Sequence, residues 1–129
     1  MPQHARHWSA SAVPEEVRRL RGEVVSFAAA AGVTDPSLAD VKLAISEALT
    51  NVVVHSYRDG GRPGPIEVDA RIHDGRLEIT IADEGPGMRP RPDSPGAGLG
   101  LPIIASLAGG FEIRERDPRG TELHLCFVL

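Results

Sequence analysis

Between residues 66 and 81 two runs of alternating apolar and polar side chains flank a short turn, and that pattern commits the chain to a sheet with one face in need of cover. Ile66, Val68, Ala70 and Ile72 alternate with polar neighbours, His73-Asp74-Gly75 makes the turn, and Leu77, Ile79 and Ile81 alternate again. A period of two with turn residues between the runs is the signature of a β-hairpin. A second hairpin closes the chain, with Phe111 and Ile113 before a turn at Asp117 to Gly120 and Leu123, Leu125 and Phe127 after it. The segment Trp8 to Val13 adds an edge strand. Hairpin-joined strands with one apolar face imply a largely antiparallel sheet whose buried face is covered by helices.

The cover is supplied by segments with helical periodicity. From Pro14, the apolar positions Val17, Leu20, Val24, Phe27, Ala28 and Ala31 recur at spacings of three and four, and Gly32 ends that helix. A second helix is expected from Pro36 to about Ser56, with Leu38, Val41, Ile45, Ala48, Leu49 and Val52 as its apolar stripe and Asp35 as its N-cap. Arg58 to Pro65 and Gly85 to Gly98 are dense in Gly and Pro and are loops. A short apolar helix follows from about Leu101 to Leu107. The expected fold is α+β: a two-layer α/β sandwich, its mostly antiparallel sheet covered on one face by helices, as one domain over residues 1–129 without repeat or linker.

Composition removes several classes of function. A net charge of −4 argues against a direct nucleic-acid partner, which needs a basic face to displace phosphate counterions. The apolar stretches fall far short of the ~20 residues that span a bilayer, and the N-terminus lacks a signal-peptide core, so neither a membrane nor export is expected and the reading is cytoplasmic. Cys126, the single cysteine, lies in an apolar run and is expected to be a small core residue. Lys42 is the only lysine, which handicaps any lysine-dependent chemistry.

Four polar or glycine-rich features carry the chemistry. Glu47, Asn51 and His55 form an i, i+4, i+8 staircase flanking the apolar stripe of the second helix, where they would border a cleft; as an isolated feature the staircase reads equally as an ordinary solvated flank. The parity that turns Leu77, Ile79 and Ile81 inward also turns Asp83 inward. A buried carboxylate costs several kcal/mol, ~3–5, unless it is partnered. Two partners suit it: a donor such as an adenine amino group, or the backbone of the turn Glu84-Gly85-Pro86-Gly87. Thr121 shares this parity and would sit beside Asp83, although a β-branched residue also opens a strand by propensity alone. Gly96-Ala97-Gly98-Leu99-Gly100-Leu101 precedes a helix and either holds an anion on its backbone N–H groups or merely connects. Its GxGxG spacing after a proline-rich segment is not a dinucleotide fingerprint, and no G-x-x-x-x-G-K-[ST] motif is present, which excludes a P-loop enzyme.

The order of these features is more specific than any one of them. Glu47-Ala48-Leu49-Thr50-Asn51, Asp83-Glu84-Gly85-Pro86-Gly87, Gly98-Leu99-Gly100-Leu101 and Gly120-Thr121 together resemble the histidine-kinase-like ATPases. The run from Ala44 to Tyr57, which includes Glu47, Asn51 and His55, looks most like the N-box of the anti-sigma-factor serine kinases. By that resemblance Asn51 would coordinate Mg²⁺ bridging the phosphates of ATP, and Glu47 would be the general base that takes a proton from the attacking hydroxyl. Asp83 would receive the adenine amino group with Thr121 in support, and Gly85 and Gly87 would let the backbone approach the nucleotide. Gly96, Gly98 and Gly100, with Leu99 between them, would form the hinge of a lid over the phosphates.

The implied activity is protein serine/threonine phosphorylation, with an anti-anti-sigma protein as acceptor, a sigma factor as sequestered partner and a homodimer as a further assembly. Only Met88 to Pro95 separates the two glycine boxes, whereas lids in that family are commonly longer. This departure favours the alternative of a nucleotide-dependent protein-binding module with little catalysis. Arg89 and Arg91 in that segment would either clamp phosphate oxygens or stand solvated.

Overall fold

The computed structural model describes residues 4–57, 62–85, 101–116 and 119–129. In chain order the elements are β1 (His4–Ser11), α1 (Pro14–Ala30), α2 (Ser37–Asn51), β2 (Pro65–His73), β3 (Arg76–Asp83), α3 (Leu101–Leu107), β4 (Gly110–Glu115) and β5 (Thr121–Val128). The five strands form one antiparallel sheet in the order β1-β2-β3-β5-β4. This is the α+β sandwich that the two hairpins imply, with β5 inserted between β3 and β4 so that the C-terminal hairpin is outermost on that side.

Both hairpins form where the alternation places them. The β2–β3 turn is tight because Asp74 and Gly75 both take positive φ, 52° and 71°, the combination whose twist matches the flanking strands. Ile66, Val68, Leu77, Ile79, Ile81, Leu123 and Leu125 are buried on the face that α1 and α2 cover. Of the stripes expected from periodicity, Val17, Leu20, Val24 and Ala28 of the first helix and Val41, Ile45, Ala48, Leu49 and Val52 of the second are buried, Ala44 joins them, and Phe27, Ala31 and Leu38 are partly buried. Each fully buried aliphatic side chain contributes about 1.5–3 kcal/mol of transfer free energy. Trp8 fastens β1 to α1: its indole N–H donates to Glu23 at 3.3 Å, and its ring meets Phe27 edge-on at 6.0 Å.

Several local expectations are corrected. Asp35 does not cap α2; the N-cap position is Pro36 and no side chain bonds there, while the Thr34 carbonyl accepts from the Leu38 N–H at 3.0 Å. The second helix reaches Ser56 as expected but changes pitch after Asn51, where Val52–Ser56 winds as a π-helix. His55, the third member of the Glu47, Asn51 and His55 series, lies within that π-helical segment and is partly exposed. The edge strand is β1 over His4–Ser11 rather than Trp8 to Val13. Cys126 is not in the core: β5 alternates, and its parity turns Cys126 to the face that the helices leave open, half-exposed. Ile113 is 36% exposed because β4 is an edge strand that the short α3 only partly covers.

The open face is polar and internally paired. His7 bonds Asp69 at 2.8 Å, Arg71 bonds Glu78 at 2.6 Å, and His124 bonds Glu122 at 2.9 Å. A shallow hollow of about 810 Å³ runs across this face, on the opposite side of the sheet from the buried Asp83. Among the described residues no helix is long and apolar enough to cross a membrane.

Candidate functional site

Asp83 ends β3, the central strand, and the register sets it between Ile66 of β2 and Thr121 of β5. Its inward parity survives folding, and it is 1% exposed; Thr121 beside it is 3% exposed, and Asn51 at the end of α2 is 5% exposed. These are the three polar or charged residues buried among the described residues. All three are residues that the sequence marks as candidates. Glu47, one turn before Asn51, is partly exposed and so reaches solvent from the same helix.

The Asp83 carboxylate accepts a hydrogen bond from the Gly85 N–H at 2.9 Å, so the turn-capping alternative is realised. A carboxylate accepts about four hydrogen bonds, and capping the turn is compatible with receiving an amino group as well. Gly85 itself is buried. Gly87, Gly96, Gly98, Leu99 and Gly100, with Arg89 and Arg91, lie outside the described residues, and the lid is not part of the geometry.

Three contacts around Asp83 escaped sequence reading. Gly120 has a φ of 118°, and a Cβ built on it would overlap the Asp83 carbonyl oxygen and stand 3.0 Å from the Glu84 Cα. Glycine there lets β5 begin directly against the end of β3, which gives the Gly120-Thr121 pair a packing reason. Arg116 donates to the Asp83 carbonyl at 3.3 Å while its guanidinium lies 3.6 Å from Glu122 and 3.8 Å from Glu67. Tyr57 places its hydroxyl 2.7 Å from the Glu84 N–H, from which it accepts, and 2.7 Å from the Pro65 carbonyl, to which it donates. Burial raises the Tyr57 phenol above its ordinary range; the Asp83 and Glu84 charges act in the same direction, while the Glu84 N–H and Arg116 oppose them. No local signal announces such contacts, because their partners lie 8 to 33 residues away.

The donor set suits a magnesium nucleotide. Mg²⁺ takes oxygen ligands and is commonly held by one or two protein groups together with substrate phosphates. A buried amide side chain at Asn51, with the Glu47 carboxylate one turn away, is chemically of that kind. Among the described residues no group of three or more His, Cys, Asp or Glu could hold a metal by itself.

A strand-end carboxylate, a helix-borne Glu/Asn pair and an antiparallel sheet covered on one face define a class, and the chain belongs to it: residues 10–127 match the family described as histidine kinase-like ATPase domain. Within that class the chain is 33% identical over 114 residues to an anti-sigma F factor of Clostridium acetobutylicum, covering 80% of this chain and 78% of the relative. It is 32% identical over 112 residues to the anti-sigma F factor of Caldanaerobacter subterraneus subsp. tengcongensis, covering 78% and 77%. A crystal structure of the RsbU and RsbW domains of a Mycobacterium tuberculosis protein superposes with a TM-score of 0.75 at 25% identity, over 98% of this chain. The chain spans 32% of that larger protein.

Proposed function

We propose that this chain binds Mg-ATP and acts as an anti-sigma-factor-type protein serine/threonine kinase, phosphorylating an anti-anti-sigma protein and sequestering a sigma factor. The observation that carries the reading is the coincidence of Asn51, Asp83 and Thr121 as the buried polar residues among the described residues, in a chain similar over four-fifths of its length to anti-sigma F factors.

On this reading Asp83 accepts a hydrogen bond from the adenine amino group, and Thr121 supports it from the adjacent strand. Gly85 and Gly87 let the backbone approach the nucleotide, and Gly96, Gly98, Leu99 and Gly100 form the hinge over the phosphates. Asn51 holds Mg²⁺ through its amide oxygen; the ion, when bound, neutralises charge on the phosphates. Glu47 accepts the proton of the acceptor hydroxyl as its oxygen attacks the γ-phosphorus, and ADP departs. One domain over residues 1–129, a cytoplasmic location and a homodimer complete the proposal.

Calorimetry with ATP and ADP in millimolar Mg²⁺ tests the binding, and absence of heat with either nucleotide would overturn it. Incubation of the chain and a candidate anti-anti-sigma protein with radiolabelled ATP tests the transfer. The brevity of Met88 to Pro95 between the glycine boxes favours a second reading, a catalytically weak ATP-dependent binding module. Binding of ATP and partner without label transfer would select it.

A further inference from the structure

We propose that Tyr57 is a positioning residue for nucleotide selectivity, tying the helix that carries Glu47 and Asn51 to the turn that aims Asp83. This inference rests on the assignment of Asp83 as the acceptor for the adenine amino group.

Tyr57 follows the π-helical segment Val52–Ser56 directly, six positions after Asn51. Its single hydroxyl is used in both directions: the O–H donates to the Pro65 carbonyl at the first residue of β2, and the oxygen accepts from the Glu84 N–H just beyond β3, each at 2.7 Å. One side chain thus joins the exit of the second helix, the entrance of β2 and the exit of β3. Glu84 lies between the residue whose carboxylate is to be aimed and Gly85, whose N–H holds that carboxylate at 2.9 Å. The run from Asp83 to Gly85 is therefore pinned at consecutive amides, one by Tyr57 and one by Asp83 itself.

The ring is also held in place by shape. A Cβ at Gly64 would overlap ring atoms Cε1 and Cζ of Tyr57 and stand 2.8 Å from the hydroxyl, so the ring lies flush against the Gly64 backbone. Gly64 in turn accepts from the Ala12 N–H at 2.9 Å. Burial keeps the phenol protonated well into the alkaline range, so its donor to Pro65 persists under ordinary conditions. An ATP molecule would touch both sides of this junction, its phosphates toward Asn51 and its base toward Asp83. Removing the hydroxyl would leave the ring but release the Asp83 turn from the helix.

The test compares Mg-ATP with Mg-purine riboside triphosphate, which lacks the 6-amino group, by calorimetry on the full chain. Wild type should prefer ATP. Tyr57→Phe should narrow that preference about three- to tenfold, the loss of one or two net hydrogen bonds, while affinity for the purine riboside triphosphate stays within about twofold. Gly64→Ala, which displaces the ring but retains the hydroxyl, should narrow the same ratio, and it carries the test should Tyr57→Phe not fold. An unchanged ratio in the folded variants, or equal weakening of both nucleotides, overturns the inference and marks Tyr57 as merely structural. A wild type that binds both nucleotides equally overturns the Asp83 assignment itself, and the inference with it.

Discussion

Replacing Gly120 with alanine puts a methyl group where the Asp83 carbonyl oxygen already stands, at a backbone φ of 118°. The two effects are separable in magnitude. A non-glycine residue held in such a conformation costs about 1–3 kcal/mol, and forcing an extra carbon into a packed site costs about 1–3 kcal/mol more. The obstacle here is backbone: the built Cβ also stands 3.0 Å from the Asp83 carbonyl carbon and from the Glu84 Cα. A flexible side chain could swing aside, but Asp83 is held by its register with Ile66 and Thr121 and by the Arg116 contact to its carbonyl. We therefore expect Gly120→Ala to lose about 2–6 kcal/mol, a large part of the ~5–15 kcal/mol typical of a domain. Gly22→Ala is the matched control. Gly22 sits inside α1 with nothing within 4 Å of a built Cβ, so the same substitution should gain about 0.5–1 kcal/mol from helix propensity. Urea denaturation of both variants, read as midpoint shifts at constant slope, measures the contrast. Equal midpoints for the two variants would refute the close approach of β5 to the end of β3. A stable Gly120→Ala chain should also bind ATP more weakly than wild type, since relieving the overlap moves the residue proposed to read adenine.

On the proposed reading, Asp83→Asn should weaken ATP binding by about 1.5–3 kcal/mol, the range for a hydrogen bond to a charged group, and calorimetry against GTP should show the preference for ATP shrinking. Glu47→Gln should reduce phosphoryl transfer by about 10² to 10⁴ fold with nucleotide affinity nearly unmoved. Asn51→Ala should weaken both Mg-ATP binding and turnover, and a Glu47→Gln chain with full activity toward a partner would make Glu47 a structural flank residue. Because the folded-state pKa of Tyr57 is raised, the stability it contributes is complete below the unfolded phenol pKa and is lost as pH rises through the folded value. Urea midpoints should accordingly fall in the alkaline range less steeply for Tyr57→Phe than for wild type, and parallel declines would contradict that coupling.

Much of this protein follows from periodicities shorter than a few residues. Alternation alone determined which faces of β2, β3 and β5 are buried and put Asp83 and Thr121 among the inward residues, because a strand's side chains change sides at every step. The three-and-four spacing determined the covering stripes of both long helices in the same way. The order of the polar boxes along the chain led to the family. Tertiary structure decided what depends on partners remote in sequence. Strand pairing put β5 next to β3, made β4 an edge and so exposed Ile113; Cys126 sits in an apolar run but faces outward by the parity of β5. Asp35 had the right chemistry for an N-cap, yet the chain enters α2 through Pro36 with no side chain bonding there. The Tyr57 bridge, the Arg116 contact and the Gly120 approach all converge on the end of β3. A hydroxyl, a guanidinium and a missing Cβ have no periodicity to betray their partners, so only the folded chain brings those partners within reach.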